Sequence, residues 1–172
     1  MNIDYAFITE EHVTRKLAFT LASYGHEIVA VHPPDGQGPF VIPKSKKEKD
    51  IERSSYHPDI VSIDKSNSSG NTMFISECKL REEDLNSDIR KLREFASDID
   101  SILYAFFRCQ LFEGGPLIGF DFDAISKTPQ RQLPLKFVLA AAGDKDEKIL
   151  MKSEINGFDC IKYIFAQNSL FF

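Results

Sequence analysis

His57-Pro58-Asp59-Ile60-Val61 and Ile75-Ser76-Glu77-Cys78-Lys79 share two ingredients: apolar residues fit for a buried strand, and charged side chains at one end of it. The apolar runs 60–63 and 73–79 flank a segment rich in Ser, Asn and Gly at 66–71, so they predict two strands joined as a hairpin. Pro58 biases the residue before it towards extended backbone and marks the entry to the first strand, which Asp59 opens. Side chains alternate faces along a strand, so Glu77 and Lys79, two apart, point to the same side. Pairing of the two strands would bring Asp59 to that couple. Two carboxylates with a backbone carbonyl between them make a hard-oxygen cage suited to Mg2+. A lysine beside it offers a donor and positive charge to an attacking water or a scissile phosphate. This is chemistry for phosphodiester hydrolysis, and costly decoration for a strand with a purely structural role, since an adjacent buried Glu and Lys must each be desolvated.

Upstream of this pair, Val13, Leu17 and Leu21 recur at helical spacing, with Thr9 as N-cap and Gly25 as stop, which predicts a helix from Thr9 to about Tyr24. Glu27 to His32 predicts a short buried strand ended by Pro33-Pro34. Residues 33–56 hold four prolines and two glycines and predict a long loop with a short strand at 40–42. Between Lys44 and Arg53 that loop carries five basic and three acidic residues, a local surplus of two positive charges. Lys44, Lys46 and Lys47 are therefore either a solvated lysine-rich face or phosphate contacts.

Downstream, Leu85, Ile89, Leu92, Ala96 and Ile99 follow helical steps and predict an amphipathic helix. Its basic residues include Arg90 and Arg93, which could face phosphates beside the site or pair with neighbouring carboxylates. The continuous apolar run at 101–108 predicts a central strand covered on both faces. Residues 136–142 fit strand or helix, and 160–165 fit a strand. The order helix, three strands, helix, strand completes a core over about 9–108, with about 110–172 as a C-terminal extension of a single domain, 1–172. The fold class expected is α/β, a mixed central sheet flanked by helices.

The short pattern has decoys, and context separates them. Pro34-Asp35-Gly36 is a turn, and Asp146-Glu147-Lys148 lies in a charged run with no apolar strand leading into it. The net charge of −5 and pI of about 5.4 exclude a protein that coats itself with nucleic acid through bulk charge, leaving local basic patches to make such contacts. The three cysteines are scattered, with no CxxC pair for zinc or redox work, which fits a reduced cytoplasmic setting. No membrane-spanning run and no Walker-type loop, GxGxxG or nucleophile elbow occurs.

On the residues His57 to Val61 and Ile75 to Lys79, with 17 residues between Asp59 and Glu77, the chain resembles the PD-(D/E)xK nuclease superfamily. That resemblance implies a restriction-endonuclease-like αβββαβ core and a DNA-hydrolysing enzyme, an endonuclease in type, with RNA not excluded as substrate. It implies that Asp59, Glu77 and the Cys78 carbonyl hold Mg2+, with Mn2+ able to substitute, and that Lys79 positions the attacking water. It also implies an auxiliary acidic residue in the first helix. Glu10 shares the stripe of Val13, Leu17 and Leu21 and is preferred, with Glu11, about 100° round, as the fallback. Cleavage of both strands by such a site would call for a homodimer. The rival expectation is a nuclease fold without catalysis, serving as a module that binds nucleic acid or a protein partner.

Overall fold

The computed structural model describes residues 8–32, 42, 56–66, 71–103, 105 and 134–171. Helix α1 (Glu10–Ser23) begins directly after Thr9, whose backbone N–H donates to His12 Nδ1 at 3.2 Å, and ends before Gly25, where φ of +87° suits glycine. Strand β1 (His26–Val31) follows at once. Strands β2 (Ile60–Asp64) and β3 (Thr72–Arg81) pair antiparallel, Ile60 opposite Ser76 and Ile63 opposite Met73, as the two apolar runs predict. A 3-10 turn, Glu82–Asp84, leads into α2 (Leu85–Ala96). Strands β4 (Leu135–Gly143), β5 (Glu147–Ile155) and β6 (Phe158–Ala166) complete the described elements, with a closing 3-10 segment, Gln167–Phe171.

The six strands form one mixed sheet in the order β1-β2-β3-β4-β6-β5. The β1/β2, β2/β3 and β5/β6 pairs are antiparallel, whereas β3/β4 and β4/β6 are parallel. Helices cover both faces. Val13, Leu17 and Leu21 of α1 pack with Ile60, Phe74, Cys78, Val138 and Ala140. Leu85, Leu92 and Phe95 of α2 pack on the opposite face with Val61, Ile63, Met73, Ile75, Phe137 and Leu139. Period two along β3 thus sends Phe74 and Cys78 towards α1 and Met73 and Ile75 towards α2. Glu77 and Lys79 continue the α2 side.

Two expectations are corrected. The helix expected to reach Ile99 ends at Ala96, because Asp98 caps a new helical stretch: Ser101 N donates to Asp98 Oδ1 at 3.3 Å and Ser101 Oγ to Oδ2 at 2.9 Å. Residues 101–103 and 105, expected in a central strand, are helical, with Ile102, Leu103 and Ala105 buried in the core on the α2 face. A short apolar run does not distinguish a buried strand from a buried helix, and the cap at Asp98 decides it. The strand beside β3 is instead β4, which places 136–142 as strand and lies beyond residue 110, as do β5 and β6. Residues 160–165 fall inside β6. Of the expected strand at 40–42 only Ile42 is described, and it forms an antiparallel bridge with Tyr56. Among the described residues no helix is long and apolar enough to cross a membrane.

Candidate functional site

Asp59 stands one residue before β2, in the bend that follows Pro58. Its backbone is stitched on both sides: its N–H donates to the Ser76 carbonyl at 3.1 Å, and its carbonyl accepts from His32 N at 2.8 Å. Its carboxylate reaches across to β3, where Oδ2 accepts from the Cys78 backbone N–H at 2.6 Å. The residue that donates this amide lies between Glu77 and Lys79, so the three sequence-predicted groups meet at one end of the β2–β3 pair.

Glu77 is 2% exposed. A buried carboxylate needs partners, and it has two that the sequence reading assigned no such role. Tyr56 donates its hydroxyl to Oε1, and Lys91 of α2 donates to Oε2 at 2.9 Å. The Tyr56 ring stacks on Phe95 with centroids 4.1 Å apart, and the Lys91 ammonium lies 4.8 Å from the Tyr56 ring centroid. Burial and the Glu77 charge hold the Tyr56 phenol well above its ordinary pKa, so it stays a donor.

Lys79 sits between two carboxylates, 3.5 Å from Glu10 Oε2 and 3.6 Å from Asp88 Oδ2. Burial alone would lower its pKa, but Asp88, Glu10, Asp59 and Glu77 outweigh that and hold the ammonium above its ordinary range. Lys79 is therefore a positively charged donor and not a base at neutral pH. Glu11 faces away, paired with Arg15 at 3.1 Å on the exposed side of α1. Asp88 also lies 3.6 Å from Lys91, so one buried carboxylate links the two lysines.

The electrostatics of the cluster are unbalanced. Glu10, Asp59, Glu77 and Asp88 stand against Lys79 and Lys91, a formal surplus of two negative charges. Burial raises Asp59 to about 6, with the Cys78 N–H and Lys79 pulling back. Burial and the Asp59 charge raise Glu77 to about 7, against the pull of Lys91 and Tyr56. A dication would relieve this strain. Among the described residues no three His, Cys, Asp or Glu side chains gather in a metal-holding group; the hard-oxygen donors at this strand end are the Asp59 and Glu77 carboxylates, which already accept from Cys78 N–H, Tyr56 and Lys91, and the Cys78 carbonyl between them in sequence. Such a set suits Mg2+, which keeps several of its waters.

The other candidates lie apart. Lys44, Lys46 and Lys47 fall outside the described residues. Arg90 is exposed on α2, and Arg93 is occupied by Glu154 on β5, donating Nε to its carbonyl at 3.1 Å and Nη2 to its carboxylate. Asp146, part of the decoy triplet, accepts from Ala166 N at 2.7 Å and Ser169 Oγ at 3.0 Å and closes the C-terminal turn.

Asp88 had a visible signal. It shares the buried stripe of α2 with Leu85 and Leu92, at steps of three and four, so a carboxylate interrupts an apolar face. Tyr56 had none, since nothing in the sequence ties it to Glu77, 21 residues on. Comparisons with protein-family models, curated proteins and solved structures find no match to this chain.

Proposed function

We propose that the chain is a Mg2+-dependent nuclease of the PD-(D/E)xK type that hydrolyses DNA phosphodiester bonds. One observation carries this: the Asp59 carboxylate reaches the Cys78 N–H between Glu77 and Lys79, at a point where the Lys79 ammonium is held between Glu10 and Asp88. Among the described elements the order α1, β1, β2, β3, α2, β4, with β4 parallel to β3 and a further helical stretch at 99–103 and 105 between α2 and β4, also suits the αβββαβ core expected of a restriction-endonuclease-like fold.

In this proposal Asp59 and Glu77, with the Cys78 carbonyl, would hold the metal, which would supply Lewis acidity when bound. Lys79 donates to the attacking water or a non-bridging phosphate oxygen and stabilises the charge that builds there. Glu10 and Asp88 hold Lys79 in place and keep it protonated. Cys78 N–H fixes the Asp59 carboxylate, and Tyr56 fixes Glu77.

The test is incubation of the protein with supercoiled plasmid, and in parallel with single-stranded RNA, in the presence of Mg2+ or Mn2+. Wild type is expected to nick or linearise the plasmid, while Asp59→Ala, Glu77→Ala and Lys79→Ala do not. Cleavage that persists undiminished in all three variants overturns the assignment, and cleavage of RNA alone reassigns the substrate.

A second function rests on a specific contact. Both Glu77 oxygens are engaged, by Tyr56 and Lys91, as they would be in a nuclease fold that has given up its metal and serves as a binding module. Titration with Mn2+ separates the two, since the module would bind none.

A further inference from the structure

Lys91 occupies an unusual position for a helix-surface lysine. Its Nζ lies 2.9 Å from Glu77 Oε2 and 3.6 Å from Asp88 Oδ1, and 4.8 Å from the Tyr56 ring centroid. Glu77 and Asp88 are nearly without solvent contact, but the Lys91 side chain is 38% exposed. The ammonium therefore reaches in from the solvent side to neutralise two buried carboxylates. A cation bound to Glu77 from the same side would compete for the same oxygen.

Resting on the proposed metal site, we propose that Lys91 competes with a divalent cation for Glu77, and that it must release Glu77 for such a cation to bind there. Two like charges cannot share Glu77 Oε2 without repulsion that the low local dielectric makes large. An isolated buried Glu77 charge would be costly, and the lysine offsets it. Since the Lys91 side chain is 38% exposed, the ammonium can withdraw towards solvent. Lys79 does not compete in this way: its carboxylate contacts are Glu10 and Asp88, not Glu77. The consequence is a site whose affinity for metal is set partly by its own lysine. Metal and lysine exchange at one oxygen.

The proposal is tested on the full-length chain by calorimetric titration with Mn2+ of wild type, Lys91→Met, Lys91→Arg and Asp59→Ala. Lys91→Met is expected to bind roughly tenfold more tightly than wild type at pH 8.5, because the competing charge is gone; the titration is run on the alkaline side because loss of Lys91 also pushes Glu77 further up. Lys91→Arg, which keeps the charge, shows no such gain, and Asp59→Ala loses binding. In wild type labelled with isotopic lysine, Mg2+ is expected to shift the Lys91 side-chain resonances, assigned by their loss in Lys91→Arg. This arm decides the matter if Lys91→Met does not fold. Equal or weaker Mn2+ binding by a folded Lys91→Met, or Lys91 resonances unmoved by saturating Mg2+, overturns the competition while leaving the metal site standing. Failure of both wild type and Lys91→Met to bind Mn2+ removes the metal site and this inference together.

Discussion

The backbone amide of Cys78 donates to the carboxylate of Asp59 at 2.6 Å, so the strand that carries Glu77 and Lys79 also orients the acid on its neighbour. No side chain has to be recruited to do this. Register between β2 and β3, set by Ile60 opposite Ser76, fixes the geometry of the acidic pair, and the hydrophobic pattern of the two strands in turn fixes the register.

The raised carboxylates make metal-free stability fall with pH. Asp59 and Glu77 have pKa values of about 6 and about 7 in the folded chain, against 3.8 and 4.5 ordinarily. Their contribution is thus fully present below about 4 and is lost as pH rises through about 6 and about 7. Asp59→Asn is expected to be more stable than wild type at pH 8 in EDTA, by on the order of 1–2 kcal/mol, with no advantage at pH 4. Urea unfolding at the two pH values measures this. Adding Mn2+ at pH 8 is expected to raise the midpoint of wild type only.

Glu10 and Glu11 are adjacent in sequence and opposite in setting. Glu10 touches Lys79, whereas Glu11 meets Arg15 in solvent, where an ion pair is worth roughly 0–1 kcal/mol. Plasmid cleavage is expected to drop about tenfold in Glu10→Gln, through loss of Lys79 positioning, and to be unchanged in Glu11→Gln. Equal effects of the two substitutions would contradict the placement.

Tyr56→Phe separates the hydroxyl from the ring. The stack on Phe95 is kept, and Glu77 loses one of its two donors. A cost of about 1–3 kcal/mol is expected at pH 8 from the buried acceptor left short of a partner. At pH 5, where Glu77 is protonated, the difference from wild type should shrink. Denaturant unfolding at both pH values checks it.

Asp88→Asn keeps the shape of the side chain and removes the charge that faces both lysines. Lys79 then loses one of its two carboxylate contacts, and its pKa is expected to fall. Cleavage should fall about tenfold, and the pH–rate profile should bend downward at lower alkaline pH than in wild type. A lower rate with an unaltered profile would reduce Asp88 to a packing residue.

Much of this arrangement is legible in the chain. Alternation in 73–79 placed Glu77 and Lys79 together, and the stripe through Val13 and Leu17 turned Glu10 inward. What escaped did so for physical reasons. Residues 101–103 are as apolar as a central strand, and only the Asp98 cap reveals a helix. Asn156-Gly157, with φ of +47° and +87°, is the turn of a hairpin between β5 and β6, and that dipeptide is itself a strong local signal for one. The partners of Glu77 could not be foreseen, because Tyr56 is 21 residues away in sequence and Lys91 lies on a helix, α2, whose placement against β3 the sequence does not give.

The pairing of β3 has a bearing on how the chain comes to be folded at all. Its parallel neighbour, β4, begins at Leu135, more than fifty residues after β3 ends at Arg81. During synthesis the hairpin of β2 and β3 emerges well before β4, its parallel partner, which lies in the last quarter of the chain. A nascent or truncated chain ending near residue 110 would carry every acidic and basic group of the site on a strand inviting pairing with other copies. Closure by β4 is a slow, long-range event, so chaperone demand and aggregation in this protein should be governed by the wait for Leu135–Gly143.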